Sequence, residues 1–416
     1  MSRFDVLVVG GGPAGSVAAL VLARGGVQVA LVDKASFPRD KACGDVVGPR
    51  GLQLLSDLGL APPIGPDVSD MLVVGPTGRR VRLPSADGLT YPGHGTAVTR
   101  TVFDAMLHEA AVAAGATPVV GRAEEPLEEE GRIAGYRLST GATLDADFVI
   151  GADGATSEVA AAVGLVDPHL VLWGFAVRTY LPQVVDLPAI VLWEQRPWRA
   201  FPGYGWVFPG EQGGANVGLG IGTRSDRKAG ARAVRALPDF MVHVRALGLL
   251  ESGPAVPPHR LGGWLKMGMV GTTPARGRVL LVGDAAGLVN PMQGEGIAQA
   301  MTSGRAAAEA ILTRASHAAD TYRSRLAVEH LPYHRIAAAV HAGLVGRPRA
   351  TAAVGRLLTA AGHGDALAGG WAVFWNELLD GAPPNRHRSV AHAVTQIGRV
   401  MTAPGATAKW FNASLG

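Results

Sequence analysis

The sequence of 416 residues contains a single cysteine, Cys43. One cysteine can form neither an internal disulfide nor a cysteine-based metal cluster, so we expect a protein of the reducing cytoplasm. No stretch of about 18 uninterrupted apolar residues occurs, which predicts that no segment crosses a membrane. The basic residues are scattered and the formal net charge is only +4, so no nucleic acid is expected as a partner.

Glycine and apolar residues, by contrast, are abundant. The chain has 57 glycines, and 48% of its residues are hydrophobic against 17% that are charged. This composition predicts a well-packed globular protein, and the length suggests two or three structural units. His330 and His334 have ligand-like spacing, but Pro332 lies between them and an acidic partner is lacking, so we predict no metal site.

The segment FDVLVVGGGPAGSVAALVLARGGVQVALVDK predicts a strand, a tight glycine turn, a helix and a second strand. The apolar run Phe4–Val9 suits a buried parallel strand. Directly after it, Gly10 permits the turn, Gly12 lets a pyrophosphate approach the backbone, and Gly15 lets the helix pack on the strand. Asp33 ends the second strand, where a carboxylate accepts hydrogen bonds from an adenosine ribose. The motif predicts a dinucleotide site and leaves NAD and FAD open.

Two later segments favour FAD. LDADFVIGADGATSEV predicts a strand that runs into a turn containing Asp153. GRVLLVGDAAGLVNPMQGEGIAQAMTSGRAAAEAI predicts a strand ending at Asp284, a glycine loop, and a helix from about Ile297. Asp284 can accept a hydrogen bond from a ribityl hydroxyl, and Gly294 and Gly296 allow a flat ring against the backbone. The positive end of the helix suits negative charge on a reduced flavin.

Together these segments resemble the FAD-dependent oxidoreductases of the glutathione-reductase-like and p-hydroxybenzoate-hydroxylase-like fold, and most of all the geranylgeranyl reductases. The stretch FPRDKACGDVVGPRGL, Phe37–Leu52, matches their Pro-Arg-x-Lys-x-Cys-Gly loop. The stretch GYGWVFPGEQGGANVGLGIG, Gly203–Gly222, matches their Tyr-x-Trp-x-Phe-Pro segment and the Val-Gly-x-Gly that follows. The resemblance runs from Phe4 to about Ile311, and the remainder of the chain matches only loosely.

The motifs and the resemblance together predict a set of FAD contacts. These are Gly10, Gly12, Pro13, Ala14, Gly15, Asp33, Lys34, Cys43, Gly44, Arg100, Ala123, Asp153, Asp284, Gly294, Gly296 and Ile297. Arg100 also makes sense alone as a cation near the pyrophosphate or the flavin edge, with an ordinary helix-start arginine as the alternative. The resemblance places Cys43 near the flavin, which implies a catalytic role as proton donor or flavin gate; the alternative is a small buried apolar residue.

The predicted fold is α/β, with a Rossmann-type FAD-binding domain interleaved with a mostly antiparallel β-sheet substrate domain. The FAD-binding domain is predicted at 1–70, 93–165 and 265–330, the substrate sheet at 71–92 and 166–264, and a C-terminal helical region at 331–416. The acidic segment EEPLEEEGRIAGYRLSTG predicts a hairpin.

Tyr204, Trp206 and Phe208 alternate with other residues at strand spacing, so their side chains share one face. The spacing leaves two interpretations open: the core of a sheet, or the wall of a ligand cavity. The resemblance favours the wall, because in this fold the substrate sheet covers the flavin ring.

The resemblance implies an enzyme that uses FAD to reduce carbon–carbon double bonds of an isoprenoid or similar apolar substrate. The alternatives are an FAD-dependent monooxygenase or tailoring enzyme of aromatic or polyketide-like compounds, and a non-redox FAD-bound scaffold for cyclisation or binding. Reduction needs an electron donor, either NAD(P)H or a reductase or ferredoxin-type protein. An apolar substrate is also compatible with peripheral contact at the inner face of a membrane.

Overall fold

The computed structural model describes residues 2–83, 94–193, 203–223, 228–251, 253, 259–344 and 347–362. Parts of the predicted substrate sheet and residues 363–416 of the predicted C-terminal region lie outside these described residues.

Within the described residues, the helices are α1 (Pro13–Arg24), α2 (Pro49–Asp57), α3 (Arg100–Ala113), α4 (Glu158–Ala162), α5 (Ala229–Ala246), α6 (Ile297–Arg314), α7 (Ala318–Glu329), α8 (Leu331–Leu344) and α9 (Pro348–Leu358). The strands are β1 (Ser2–Val9), β2 (Val29–Asp33), β3 (Val46–Val47), β4 (Asp67–Val68), β5 (Met71–Val74), β6 (Arg80–Leu83), β7 (Gly95–Ala97), β8 (Thr117–Val120), β9 (Ala123–Glu129), β10 (Arg132–Leu138), β11 (Thr143–Gly151), β12 (Leu172–Leu181), β13 (Ala189–Val191), β14 (Gly203–Pro209), β15 (Ala215–Thr223), β16 (Leu261–Met267), β17 (Ala275–Arg276) and β18 (Val279–Leu281).

The first sheet is parallel in its centre. Its order is β17-β18-β11-β1-β2-β8, and the predicted hairpin β9–β10 pairs antiparallel beside β11. The apolar side chains of β1 and β2 are buried, and α1, which follows β1, packs against α3 and α6. A central parallel strand needs such cover because it carries apolar side chains on both faces of the sheet. The predicted Rossmann-type α/β arrangement is confirmed.

The second sheet is mostly antiparallel, as predicted. Its order is β16-β12-β15-β14-β13-β5-β6, and its one parallel pair is β13 with β5. Helix α5 packs on one face, where Phe240 lies so close to the backbone of β14 that a Cβ at Gly205 would be 2.1 Å from its ring. The other face is therefore left for a ligand or for the first sheet.

Short elements complete the described part of the chain. Strands β3, β7 and β4 form a small antiparallel sheet. The Tyr322 hydroxyl donates a 2.7 Å hydrogen bond to the Leu281 carbonyl and thereby ties α7 to β18. Helices α8 and α9 follow α7, so the predicted C-terminal helical region is confirmed as far as it is described. The exact domain boundaries stay a prediction.

Candidate active site

The turn from β1 to α1 leaves room for a phosphate group. Gly10 has a φ of +108°, and a Cβ there would lie 2.2 Å from the Ala152 carbonyl oxygen. A Cβ at Gly15 would lie 1.8 Å from the Gly10 oxygen. At Gly12, in contrast, the nearest atom to an added Cβ is a guanidinium nitrogen of Arg39, at 3.5 Å. The space therefore lies beside the N-terminus of α1 and next to a cation, as a pyrophosphate requires.

Four charged side chains connect this turn to α3. Asp33 accepts hydrogen bonds from Gly11 N at 2.8 Å and from Arg39 at 3.3 Å. Arg39 also reaches Asp104 at 3.2 Å, and Arg100 binds the same carboxylate through two hydrogen bonds of 2.6 and 2.7 Å. Although burial opposes the charge, Asp104 raises the pKa of Arg100 above its ordinary value. Arg100 is therefore a fixed cation at the edge of the site.

The sequence analysis missed Arg39 and Asp104, although both belong to this chain of charges. Arg39 lies in the predicted loop FPRDK, and its neighbour Phe37 stacks on His108 with ring centroids 4.2 Å apart. The guanidinium of Arg39 lies over the Phe37 ring, 4.9 Å from the centroid. Asp104 lies one helical turn after Arg100, which was a spacing signal for that pair, whereas Arg39 and Asp104 are 65 residues apart and meet only through the fold.

A cavity of about 270 Å³ lies between the two sheets and α9. Many of the predicted site residues line it together: Pro13, Cys43, Gly44, Arg100, Tyr204, Trp206, Phe208, Asp284, Gly294, Gly296 and Ile297. Most of the remaining wall is apolar, for example Val73 and Leu265. The structure thus brings the glycine loop before α6 and the aromatic strand to one space.

Asp284 and the glycine loop form the end of this cavity nearest to α1. The side chain of Asp284 is 10% exposed, and Lys41 lies 3.4 Å from it. A Cβ at Gly296 would lie 3.6 Å from Asp284 Oδ1, and one at Gly294 would lie 3.4 Å from the Tyr204 hydroxyl oxygen. Helix α6 begins at Ile297, on the cavity wall. Glycines that keep this space clear, an acceptor for a ribityl hydroxyl and the phosphate cradle at α1 fit FAD.

Lys266 supports the loop that carries Asp284. Its side chain is buried in β16, and its Nζ donates a 2.7 Å hydrogen bond to the Ala285 carbonyl. Burial lowers the pKa of Lys266 to about 8, against the opposing effect of Asp153 and Asp284. The second sheet therefore holds the loop that carries Asp284 through the buried ammonium group of Lys266, which the sequence analysis did not identify.

The Cys43 loop is fastened to the aromatic strand through Asn216. Trp206 Nε1 donates to Asn216 Oδ1 at 2.9 Å, and Asn216 Nδ2 donates to Cys43 O and to Asp45 Oδ2, each at 2.8 Å. Asp45 has a φ of +64° and also accepts from the Tyr180 hydroxyl at 2.6 Å. Asn216 was not predicted, and its place in the glycine-rich strand after Trp206 is the only sequence signal for it.

Cys43 is half-buried and lines the cavity, with Arg100 as a neighbour of its thiol. Its Sγ accepts a hydrogen bond from Asp45 N at 3.3 Å. Burial raises the pKa of Cys43 above its usual range, and Arg100 partly opposes that rise. The thiol therefore keeps its proton at neutral pH.

The aromatic strand satisfies both interpretations of its spacing. Tyr204, Trp206 and Phe208 line the cavity, while Trp206 and Phe208 are also buried in a cluster with Met71 and Ile190. Trp206 fits because the facing strand carries glycine: a Cβ at Gly218 would lie 2.2 Å from its ring. The Tyr204 hydroxyl donates to the Gln293 carbonyl, so the wall also contacts the glycine loop.

Asp153, Lys34 and Ala123 belong neither to the cavity lining nor to the turn between β1 and α1. The structure shows a role for Asp153 that was not predicted: its carboxylate accepts from Ser157 Oγ at 2.5 Å and from Glu158 N and Val159 N at 2.7 and 3.0 Å. Asp153 thereby satisfies the first two backbone N–H groups of α4, whose N-cap residue is Ser157, an arrangement that the sequence did not indicate. Lys34 is exposed beside Asp33, and Ala123 is buried at the start of β9. Their contact with FAD stays a prediction.

Asp284→Ala and Asp153→Ala are expected to affect different properties, FAD binding in the first variant and stability in the second. Asp284→Ala removes an acceptor from the cavity, so the affinity for FAD should fall by roughly one to two decades, as for a lost charge-assisted hydrogen bond. Asp153→Ala removes a helix cap, which should lower the free energy of unfolding by about 0.5–2 kcal/mol without weakening FAD binding. Equilibrium FAD binding and thermal melting of both variants test this. Weakened FAD binding only in Asp153→Ala would reverse the assignment.

Asp45→Asn is expected to stabilise the protein at pH 8. Burial raises the pKa of Asp45 from 3.8 to about 6, and Asp45 Oδ1 has no hydrogen-bond partner among the described residues. The folded state therefore binds the proton more tightly than the unfolded state. The stabilisation of the folded state by this bound proton is fully present below about pH 4 and is lost as the pH rises through 6.

The asparagine carries no charge and tolerates a positive φ. Its advantage in the free energy of unfolding should reach about 1–3 kcal/mol at pH 8 and shrink towards pH 4. Urea unfolding at several pH values measures this difference. A difference in the free energy of unfolding that stays constant across that pH range would contradict a buried Asp45 carboxyl with a raised pKa.

Comparison with known proteins agrees with this geometry. The family model described as FAD binding domain matches residues 3–327. Menaquinone reductase of Mycolicibacterium smegmatis is 35% identical over 317 residues, which cover 74% of this chain and 76% of the relative. Digeranylgeranylglycerophospholipid reductase 2 of Methanopyrus kandleri is 35% identical over 319 residues, with the same coverage of 74% and 76%. Geranylgeranyl diphosphate reductase of Rhodobacter capsulatus is 32% identical over 328 residues, covering 74% and 75%.

Solved structures show the same fold. A geranylgeranyl bacteriochlorophyll reductase-like protein from Thermoplasma acidophilum superimposes with a TM-score of 0.71 at 22% identity, and each chain is covered to 98%. A flavin-dependent brominase superimposes with a TM-score of 0.66 at 18% identity, covering 96% of this chain and 100% of the other. At such identities the likeness extends to the fold alone. With the sequence relatives and the site geometry, the chain belongs to the FAD-binding-domain family and is an FAD-dependent oxidoreductase of the geranylgeranyl reductase type.

Proposed function

We propose that this protein reduces carbon–carbon double bonds in the chain of an isoprenoid substrate. The observation that carries the proposal is the apolar cavity that the aromatic strand, the glycine loop and Asp284 line together. Its sequence relatives are named as reductases of menaquinone, digeranylgeranylglycerophospholipid and geranylgeranyl diphosphate, which are molecules with isoprenoid chains. A prenyl chain gains about 0.8 kcal/mol per buried methylene from such a wall, before the cost of ordering it.

The two parts of the cavity wall suit two tasks. Around α9 the wall contains Ile190, Leu192 and Leu358, which offer an apolar chain no competing hydrogen bonds. It also contains Asp284 and Arg100, which would hold the FAD in place. The chain of the substrate would thus lie along the sheet with one double bond at the flavin end, and the aromatic side chains would exclude water from that bond.

Reduction of an alkene requires a hydride and a proton. Reduced FAD supplies the hydride when it is bound in this site. We assign the proton to the thiol of Cys43, a residue that lines the cavity and whose pKa is raised by burial. Arg100 stabilises the thiolate that remains, until a proton from solvent restores the thiol.

The electron donor and the source of the substrate complete the proposal. NAD(P)H or a reductase or ferredoxin-type protein would reduce the FAD between turnovers. Among the described residues, no helix combines the length and apolar character needed to cross a bilayer. Val354 and Leu357 on α9 are 39% and 53% exposed beside the cavity. Peripheral contact of this helix with the inner face of a membrane would let an isoprenoid lipid enter directly.

The proposed activity is tested by a single turnover without oxygen. Holoenzyme reduced chemically under nitrogen is mixed with a polyprenyl substrate, and the flavin absorbance and the product mass are followed. Reoxidation of the flavin together with a product heavier by two hydrogens supports the reductase. Product that forms only after oxygen is admitted and contains its oxygen atom identifies a monooxygenase, and product from oxidised holoenzyme identifies a non-redox scaffold.

Trp206→Ala is expected to lower turnover more than its loss of stability explains. The side chain lines the cavity, so its removal enlarges the space where the substrate chain packs. It is also buried and hydrogen-bonded to Asn216, so the melting temperature should fall as well. Val207→Ala is the matched control, because Val207 is fully buried on the opposite face, against α5.

The two variants are compared at temperatures well below both melting points and at equal FAD content. We expect turnover of Trp206→Ala to fall by at least tenfold, while Val207→Ala loses stability and retains turnover. Equal turnover in the two variants would remove Trp206 from the substrate wall.

A further inference from the structure

Lys41 brings a positive charge to the wall of the cavity. Its side chain is 38% exposed, and its Nζ donates a 3.4 Å hydrogen bond to Asp284 Oδ2. Both residues belong to the cavity lining. Lys41 and Asp284 therefore form an ion pair that a molecule in the cavity can reach.

Contacts on either side of Lys41 hold this part of the chain in place. Asp40 accepts hydrogen bonds of 2.5 and 2.6 Å from Arg178, a buried residue of β12. The Cys43 carbonyl accepts a 2.8 Å hydrogen bond from Asn216 on β15. The second sheet thus fixes the chain directly before Lys41 and shortly after it, so the ammonium group stays at the cavity wall.

The carboxylate of Asp284 needs a positive partner when FAD is reduced. Among the described residues of the cavity wall it is the only acidic side chain, and we assign the ribityl hydroxyl of FAD to it. Two-electron reduction with uptake of one proton leaves one negative charge on the flavin, which a nearby carboxylate opposes. Arg100 is already matched by Asp104, through hydrogen bonds of 2.6 and 2.7 Å. The charge of Asp284 is therefore left to Lys41.

We propose that Lys41 neutralises Asp284 and thereby makes bound FAD easier to reduce. The carboxylate remains an acceptor for the ribityl hydroxyl, while its charge no longer opposes the negative charge of reduced FAD. A partly exposed ion pair contributes little to stability, so the role of Lys41 is to set the reduction potential. The inference goes beyond the proposed function, because it concerns FAD and is independent of the substrate.

The test is the midpoint potential of FAD in Lys41→Met holoenzyme. It is measured without substrate, by stepwise chemical reduction under nitrogen against a reference dye. Loss of the ammonium group should weaken the binding of reduced FAD relative to oxidised FAD by roughly tenfold, the order expected for unit charges about 10 Å apart. For two electrons, tenfold corresponds to a midpoint potential lower by about 30 mV. The melting temperature should change little.

Lys41→Arg, which keeps the charge, is expected to retain the midpoint potential of the parent. The matched control is Arg3→Met, which removes one positive charge from an exposed 3.1 Å ion pair with Asp147. Arg3 lies near the start of β1, at the opposite end of the strand from the glycine turn, so the potential should not change. Equal shifts in Lys41→Met and Arg3→Met would reflect net charge alone and overturn the proposal.

A double-mutant cycle tests whether Lys41 acts through Asp284. Asp284→Asn leaves the ammonium group uncompensated, so the midpoint potential should rise even though FAD binds more weakly. Combining Lys41→Met with Asp284→Asn removes both charges and should bring the potential back towards that of the parent. A double variant that keeps the full shift of Lys41→Met would contradict the pairing.

The affinities of each variant for oxidised and reduced FAD complete the test. A midpoint potential unchanged in Lys41→Met overturns the proposal. So does an equal loss of affinity for both forms, in the extreme a variant that retains neither, because Lys41 would then bind FAD regardless of its redox state. Since no substrate is present, a lower potential in Lys41→Met supports the role of Lys41 even if the anaerobic turnover shows no reduction of a polyprenyl chain.

Discussion

The amide of Asn216 holds the two halves of the active site together. One side chain accepts from the Trp206 indole and donates to the Cys43 carbonyl and the Asp45 carboxylate. The aromatic strand and the Cys43 loop come from segments more than a hundred residues apart, and this amide connects them. Because Asn216, Trp206 and Asp45 are buried, loss of the amide would leave polar atoms unpaired on both sides. The position of the aromatic strand relative to the Cys43 loop therefore depends on Asn216.

The cavity exists because the second sheet has small residues where an ordinary sheet has large ones. Trp206 lies over Gly218, and His341 lies over Gly222. Each glycine admits a side chain from another element, so the sheet can hold aromatic rings and still leave room for a chain. On the opposite face, the ring of Phe240 from α5 fills the space over Gly205. One sheet thus combines a solid hydrophobic core with an open binding surface.

The sequence was informative where one local segment carries a complete physical requirement. Gly10, Gly15 and Asp33 lie within a single strand-turn-helix-strand unit, so the spacing alone predicted the phosphate cradle. Residues that act through partners distant in the chain were missed, as with Arg39 and Asn216. For Asp153 the sequence was ambiguous, because a carboxylate in a glycine turn can either face a ligand or bind the next helix. The hydrogen bonds to the start of α4 show the second role, and contact with FAD stays a prediction.

The buried ammonium of Lys266 limits how this protein could exchange a whole sheet or cofactor segment with another protein of the same fold. It belongs to the substrate sheet, while its acceptor, the Ala285 carbonyl, belongs to the FAD loop. A hybrid that joins this sheet to a foreign cofactor segment would bury a cation with no guaranteed acceptor, and the reverse hybrid would leave a buried carbonyl unpaired. Divergence towards new substrates is therefore easier by changing residues of the cavity wall than by recombining whole sheets, so the two units are expected to be inherited together.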